Sequence, residues 1–239
     1  MSSLRKYLFF FCLCFLLPHA YATKLVIGTL SYDSPFSNTK ENVFADFEIM
    51  MMKEICKRIH SECVFETVLF HDIPQKMSKG TIDLALGSII ITEEKRKNFL
   101  FSLPYQDSHL QYVALKKSSL NTIQQLTGKT IGVSFRCPTR NLALKHIDNT
   151  IQVNELPTNM NMLKALEKQK ISAVLTHYHH AIQWANKRKF KLLGPKFRIG
   201  EGYGIMTQLH QTNLINQINE ALLGMENDGT YIKLYKEYL

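Results

Sequence analysis

Residues 80–105, GTIDLALGSIIITEEKRKNFLFSLPY, gather the densest set of side chains able to do chemistry. Ile82, Leu84, Ala85 and Leu86 form an apolar run too brief for a helix and suited to a buried strand. Gly80 can end the helix before it. Thr92 can cap the helix after it, with Glu93 and Glu94 at that helix's positive end. A loop that leaves a parallel strand and enters a helix offers free backbone N–H groups, which suits a carboxylate. Periodicity alone reads equally as an ordinary connection between strand and helix. A second candidate is His177-Tyr178-His179-His180, where His177 and His180 share a face if the segment is helical. No acid or cysteine nearby completes a ligand set, so no metal is expected there. Met50-Met51-Met52 reads as core filling, since methionine packs into irregular apolar gaps.

These residues need a scaffold, and the scaffold is preceded by an export signal. Arg5 and Lys6 stand before an apolar stretch at 8–17 and an Ala20-Tyr21-Ala22 cleavage site, so residues 1–22 are expected to be a cleaved signal peptide. The apolar stretch is shorter than the ~20 residues that a membrane span needs. No cysteine follows the cleavage site to carry a lipid anchor, and no later apolar run is long enough to cross a bilayer. About 217 residues remain, enough for one large or two small cores. The formal charge of +9 falls by two when Arg5 and Lys6 leave. The basic residues are dispersed. Their densest run, Lys187-Arg188-Lys189-Phe190-Lys191, reads as a solvated helix end rather than a nucleic-acid contact. Cys12 and Cys14 leave with the signal. Cys56 and Cys63 flank a loop closable between a helix end and the next strand, and in an oxidising compartment they read as a disulfide. Cys137 is left over.

The order of patterns shows how the elements follow one another. A strand is expected at 24–29. Phe44, Phe47, Met51, Ile55 and Ile59 then recur at helical steps, and a second strand is expected at 63–70. Downstream, a strand is expected at 130–135, helices at 139–147 and 161–169, and a strand at 171–176. MSKGTIDLAL and LEKQKISAVL are one helix–turn–strand phrase used twice. Strands alternating with helices imply parallel sheets, and two such units imply two α/β lobes. Helices at 213–227 and 230–238 close the chain, and no low-complexity linker interrupts it.

These residues, in this order, resemble one family. G-x-I-D-L-A, a small-residue loop, I-T-E-E, a basic pair and F-S-x-P-Y are similar to the periplasmic polar-amino-acid-binding proteins, the family 3 solute-binding proteins. Ser31-Tyr32-Asp33-Ser34-Pro35-Phe36 is similar to the family's first ligand loop. Gly128-Lys129-Thr130-Ile131-Gly132-Val133 resembles the strand that opens its second lobe. Ile171-Ser172-Ala173-Val174-Leu175 and Asn227-Asp228-Gly229-Thr230-Tyr231 follow in family order. The resemblance implies a type II periplasmic binding protein fold: two lobes, each a mainly parallel sheet flanked by helices, joined by hinge strands near 109–113 and 203–208. It divides the chain into 23–110 (lobe one, first part), 111–204 (lobe two) and 205–239, which returns to lobe one. The Cys56 to Cys63 spacing also occurs in the family's binders of basic amino acids.

The family holds an amino acid with an Arg on its carboxylate, an Asp on its ammonium and an aromatic wall. Carried over, this implies a site made of Tyr32, Asp33, Phe36, Phe70, Ser88, Lys95, Arg136, Thr139 and His177. Ser88 would hydrogen-bond the ligand, and Tyr32, Phe36 and Phe70 would wall it. The anchors depart from the pattern. Lys95 stands where the family has Arg, and it attracts a carboxylate without the bidentate fork. His177 stands where the family has Asp and offers an ammonium no negative partner. Arg136-Cys137-Pro138-Thr139 replaces a Gly-Ser-Thr-like turn, and Pro138 removes a backbone donor. Asp33 is the remaining candidate for an ammonium. The cleft is therefore expected to be more cationic than an amino-acid site. The implied function is periplasmic binding of a small polar solute, an amino acid or an amino-acid-like carboxylate, for delivery to the permease of an ABC importer. No cofactor, metal, catalytic residue or nucleic-acid partner is expected, and the protein is expected to be a monomer. Two other classes share the fold: cyclohexadienyl-type dehydratases, with His177 or a Lys as acid, and soluble ligand sensors for a membrane receptor.

Overall fold

The computed structural model of the protein describes residues 23–30, 43–134, 139–148 and 150–239. They build two five-stranded sheets. In the first, β1 (Thr23–Leu30), β2 (Ser61–Val68), β3 (Leu84–Leu86), β4 (Phe99–Phe101) and β10 (Met206–Gln208) lie in the order β2-β1-β3-β10-β4. In the second, β5 (His109–Leu115), β6 (Thr130–Ser134), β7 (Gln152–Leu156), β8 (Ala173–His177) and β9 (Phe190–Arg198) lie in the order β7-β6-β8-β5-β9. β1 runs parallel to β2 and β3, as β6 does to β7 and β8. The other pairs are antiparallel, so the sheets are mixed where mainly parallel ones were expected. The reason is the path of the chain. The antiparallel pairs involve the strands that adjoin the two crossings between sheets, and a crossing chain enters from the neighbouring sheet rather than over a helix.

The repeated phrase is visible as a repeated packing unit. Helix α2 (Ile73–Ser78) follows α1 (Val43–Arg58) and ends where Gly80, at φ 66°, donates to the Met77 carbonyl at 2.9 Å. Helix α5 (Asn159–Glu167) ends the same way, with Gln169 at φ 56° donating to the Leu166 carbonyl at 3.0 Å. Two residues on, Ile82 and Ile171 are buried over glycines of the adjoining strands. A Cβ at Gly28 of β1 would stand 2.8 Å from Ile82 Cδ1, and one at Gly132 of β6 would stand 2.6 Å from Ile171 Cδ1.

The remaining helices are α3 (Glu93–Arg96), α4 (Thr139–His146), α6 (Tyr178–Ala185), α7 (Thr212–Asn227) and α8 (Thr230–Tyr238). The last two pack on α1. Ile215, Ile218, Ala221, Leu222 and Met225 of α7 share a buried cluster with Phe47, Met51, Met52 and Ile55. Tyr231 of α8 meets Phe47 edge-on at 5.7 Å, and Arg58 reaches Asp228 at 2.8 Å. Cys56 and Cys63 are joined in a disulfide that ties α1 to β2, with Cα atoms 6.1 Å apart. Closing so short a loop contributes about 2–3 kcal/mol.

Element ends differ from the expectations in two places that matter. β2 stops at Val68, so Phe70 lies in the 3-10 turn Phe70–Asp72 instead of ending a strand. Lys187, Arg188 and Lys189 occupy the turn between α6 and β9, not a helix end. Among the described residues no helix is long and apolar enough to cross a membrane.

Candidate functional site

The loop after β3 is held from behind by a buried acid. Gly87 at φ 132° and Ser88 at φ 50° turn the chain away from the strand. The Ser88 N–H donates to Glu48 Oε1 at 2.6 Å, and its hydroxyl points to the same oxygen across a long 3.4 Å. The Tyr105 hydroxyl donates to that oxygen as well. Glu48 lies on α1 and is 1% exposed, so its carboxyl is held in the core by these donors. Sequence reasoning missed Glu48. Its only signal was an acid beside the core positions Phe47 and Met51.

The next turn carries the cations. Thr92 Oγ1 accepts the Lys95 N–H at 3.3 Å and so caps α3. Lys95 Nζ donates to the Ile90 carbonyl at 2.8 Å and lies 5.5 Å from the centre of the Phe70 ring. Arg96 turns the other way. Its guanidinium makes two bonds of 2.8 Å to the carboxylate of Glu201. That pairing holds the Glu201 carboxyl below its ordinary range.

Between the sheets the chain crosses at 102–108 and returns at 199–205. Both segments come a few residues before the hinge strands expected near 109–113 and 203–208, because 109–113 already belongs to β5 and 206–208 to β10. Tyr105 N–H donates to Tyr203 O at 2.9 Å, Tyr203 N–H to Gln106 O at 2.8 Å and Ile199 N–H to Ser108 O at 3.0 Å. The returning segment also pairs with the ligand-loop side, through Ile91 N–H to Gly202 O at 2.9 Å and Gly204 N–H to Ile89 O at 3.0 Å. The Tyr203 hydroxyl lies 2.8 Å from His177 Nδ1, at the end of β8. The rings of His179, His180 and Tyr203 stand 5.6, 6.1 and 5.4 Å from that of His177. Burial, and after it the charge of Lys95, pushes His177 down to about 4. Burial and His177 push His180 down to about 3, and His179 is also lowered well below the ordinary value. All three imidazoles are therefore neutral at neutral pH.

Of the expected site residues, Lys95 lies against the Phe70 ring and its charge reaches His177, while Ser88 lies in the loop directly before Lys95's turn. Tyr32, Asp33, Phe36, Arg136 and Cys137 lie outside the described residues, as does the 1–22 segment; Thr139 opens α4, and its side chain is outside them too. His177 and His180 do not share a helix, because His177 belongs to β8 and α6 starts one residue later. Among the described residues no group of three or more His, Cys, Asp or Glu is placed to hold a metal ion.

A junction of two mixed α/β sheets, with charged and aromatic side chains gathered at the crossings, is suited to holding a small polar molecule. Residues 25–239 match the family model described as bacterial extracellular solute-binding proteins, family 3. The chain belongs to that family. This solute-binding protein is 26% identical over 226 residues to the arginine-binding periplasmic protein of Mannheimia haemolytica, covering 92% of each chain. It is 28% identical over 224 residues to the histidine-binding periplasmic protein of Escherichia coli K12, covering 89% of this chain and 86% of that one. Among solved structures it is similar to an arginine 3rd transport system periplasmic binding protein from Legionella pneumophila. The TM-score is 0.81 at 36% identity, over 91% of this chain and all of the other. The solute-binding protein thus has the two-lobed α/β fold of its relatives. Tyr203, which the sequence reading did not single out, is the residue that joins its crossing segment to His177.

Proposed function

We propose that this protein binds a small polar solute, an amino acid or an amino-acid-like carboxylate, at the junction of its two sheets and delivers it to the permease of an ABC importer in the inner membrane. The contact of Lys95 with Phe70, with its charge reaching His177 beside the returning crossing, carries the reading. This arrangement offers a cation, an aromatic face and a neutral polar ring. Family membership supports it, as do the arginine- and histidine-binding names of its relatives. Tyr32, Asp33, Phe36, Ser88, Arg136 and Thr139 complete the proposed site.

On this reading the protein works in the periplasm as a monomer, begins at Thr23 after signal cleavage, and catalyses nothing. It binds no nucleic acid. The crossing segments 102–108 and 199–205 act as the hinge, and closure of the lobes traps the solute. Lys95 attracts a carboxylate, while His177 in place of an acid favours a solute with more negative charge than a plain zwitterion.

Mass spectrometry of solute released from protein purified out of the periplasm tests the function directly. An amino acid or small carboxylate, recovered unchanged, is the expected result. Release of a product chemically altered from the solute supplied would point to the dehydratase class instead.

A further inference from the structure

Tyr203 stands where the candidate site meets both crossing segments. Its N–H and C=O are both bonded to the outgoing segment, at 2.8 Å to Gln106 O and 2.9 Å from Tyr105 N. Both neighbours are glycines. A Cβ at Gly202, which has φ 139°, would stand 2.7 Å from Gln106 O; at Gly204 it would stand 2.7 Å from Ile91 Cδ1. The backbone is therefore packed without slack against both sides, and the Tyr203 side chain is buried at 2% exposure. Its hydroxyl is a fixed point, and His177 Nδ1 lies 2.8 Å away.

Two arrangements fit that distance, and they differ in strength. A phenol O–H is a better donor than a neutral imidazole N–H, and an unprotonated imidazole nitrogen is a better acceptor than a phenol oxygen. The favoured bond is O–H to Nδ1, which leaves the single ring proton on Nε2. We propose that Tyr203 is a positioning residue that fixes His177 as the Nε2–H tautomer, making it a hydrogen-bond donor to the solute and a poor host for an ammonium. This deepens the proposed function and rests on His177 lining the site. Lys95 acts in the same direction, because a second proton on His177 would lie in the field of its charge.

Long-range 1H–15N spectra of the solute-free protein test the tautomer, with His177 assigned from His177→Asn. The wild type should show Nε2 protonated and Nδ1 as a bonded acceptor. Tyr203→Phe keeps the ring and the backbone and removes only the hydroxyl, and it should move the Nδ1 resonance to that of an unbonded nitrogen. A wild-type Nδ1–H tautomer, or a His177 spectrum unchanged by Tyr203→Phe, overturns the inference. Calorimetry with L-glutamate and L-arginine gives a second readout. Tyr203→Phe should lower the glutamate-to-arginine affinity ratio by about 5-fold, the worth of one neutral hydrogen bond. An equal loss for both solutes would leave Tyr203 a packing role only and also overturn it. If the wild type binds no amino acid or carboxylate at all, the proposed function fails, and the spectra still decide the tautomer.

Discussion

A desolvated imidazole in the field of a lysine stays neutral, so at neutral pH the half-buried His177 adds no charge to the site while Lys95 adds one. Replacing His177 with Asp restores an anion for an ammonium. Such a charge-assisted bond is worth about 1.5–3 kcal/mol, so His177→Asp should tighten L-arginine or L-glutamine binding by about 10–150-fold. It should weaken a dicarboxylate that has no ammonium, and calorimetry on both proteins reads the two effects. Tight wild-type arginine binding that the substitution leaves unchanged would assign the ammonium to another acid, Asp33 first. The same histidines set a pH dependence. In the unfolded chain each titrates near 6.5, whereas in the fold His177 titrates near 4 and His180 near 3. Between those values the unfolded state binds more protons, so stability is complete above pH 6.5 and is lost as the pH falls toward 4. The melting temperature should drop from pH 7 to pH 5, and His180→Gln should make the drop shallower; a rise on acidification would contradict this. Lys95 and His177 are candidates from the sequence because they align with anchor positions of the family that the chain resembles. Glu48 and Tyr203 are not, since what marks them is a partner 40 or 26 positions away in the chain.

The paired helix–turn–strand units carry a comparison inside one chain. Gly80 and Gln169 take the same left-handed conformation at the end of α2 and α5. Glycine adopts it without steric cost and glutamine does not. Gln169→Gly should therefore stabilise the protein by about 0.5–1 kcal/mol in chemical denaturation, and a loss of stability would mean that the Gln169 side chain holds the turn. Elements with a strong apolar rhythm were legible: α1, α5, α7, β1 and β6 all fall within a few residues of their expected places. β7 and β9 were not read as strands. Both are edges of the second sheet with mostly half-exposed or exposed side chains, and β9 carries Lys191, Lys196 and Arg198, so neither shows an apolar run. Phe70 lies beyond the last described pair of the β1–β2 register, Leu30 with Val68, and its place in a turn was not legible from its aromatic type.

At the scale of the molecule, the two crossings are bonded to each other, and the returning one is bonded to residues 89–91 as well. Closure about the 102–108 and 199–205 segments should compact the protein. Small-angle scattering with saturating L-arginine, once calorimetry has confirmed binding, should show a smaller radius of gyration; an unchanged radius would mean a rigid site. The strand order of the first sheet has another consequence, which concerns the time order of synthesis. β10 is the strand that lies between β3 and β4, pairing with Ala85 on one side and with 99–101 on the other. It is made after every strand of the second sheet. A nascent chain that has reached Arg198 holds all the strands of its second sheet, while its first sheet still has a gap through the middle and α1 still lacks the cover of α7 and α8. The half of the protein that is synthesised first is thus the half that finishes folding last, and it must stay open until the last stretch of polypeptide arrives.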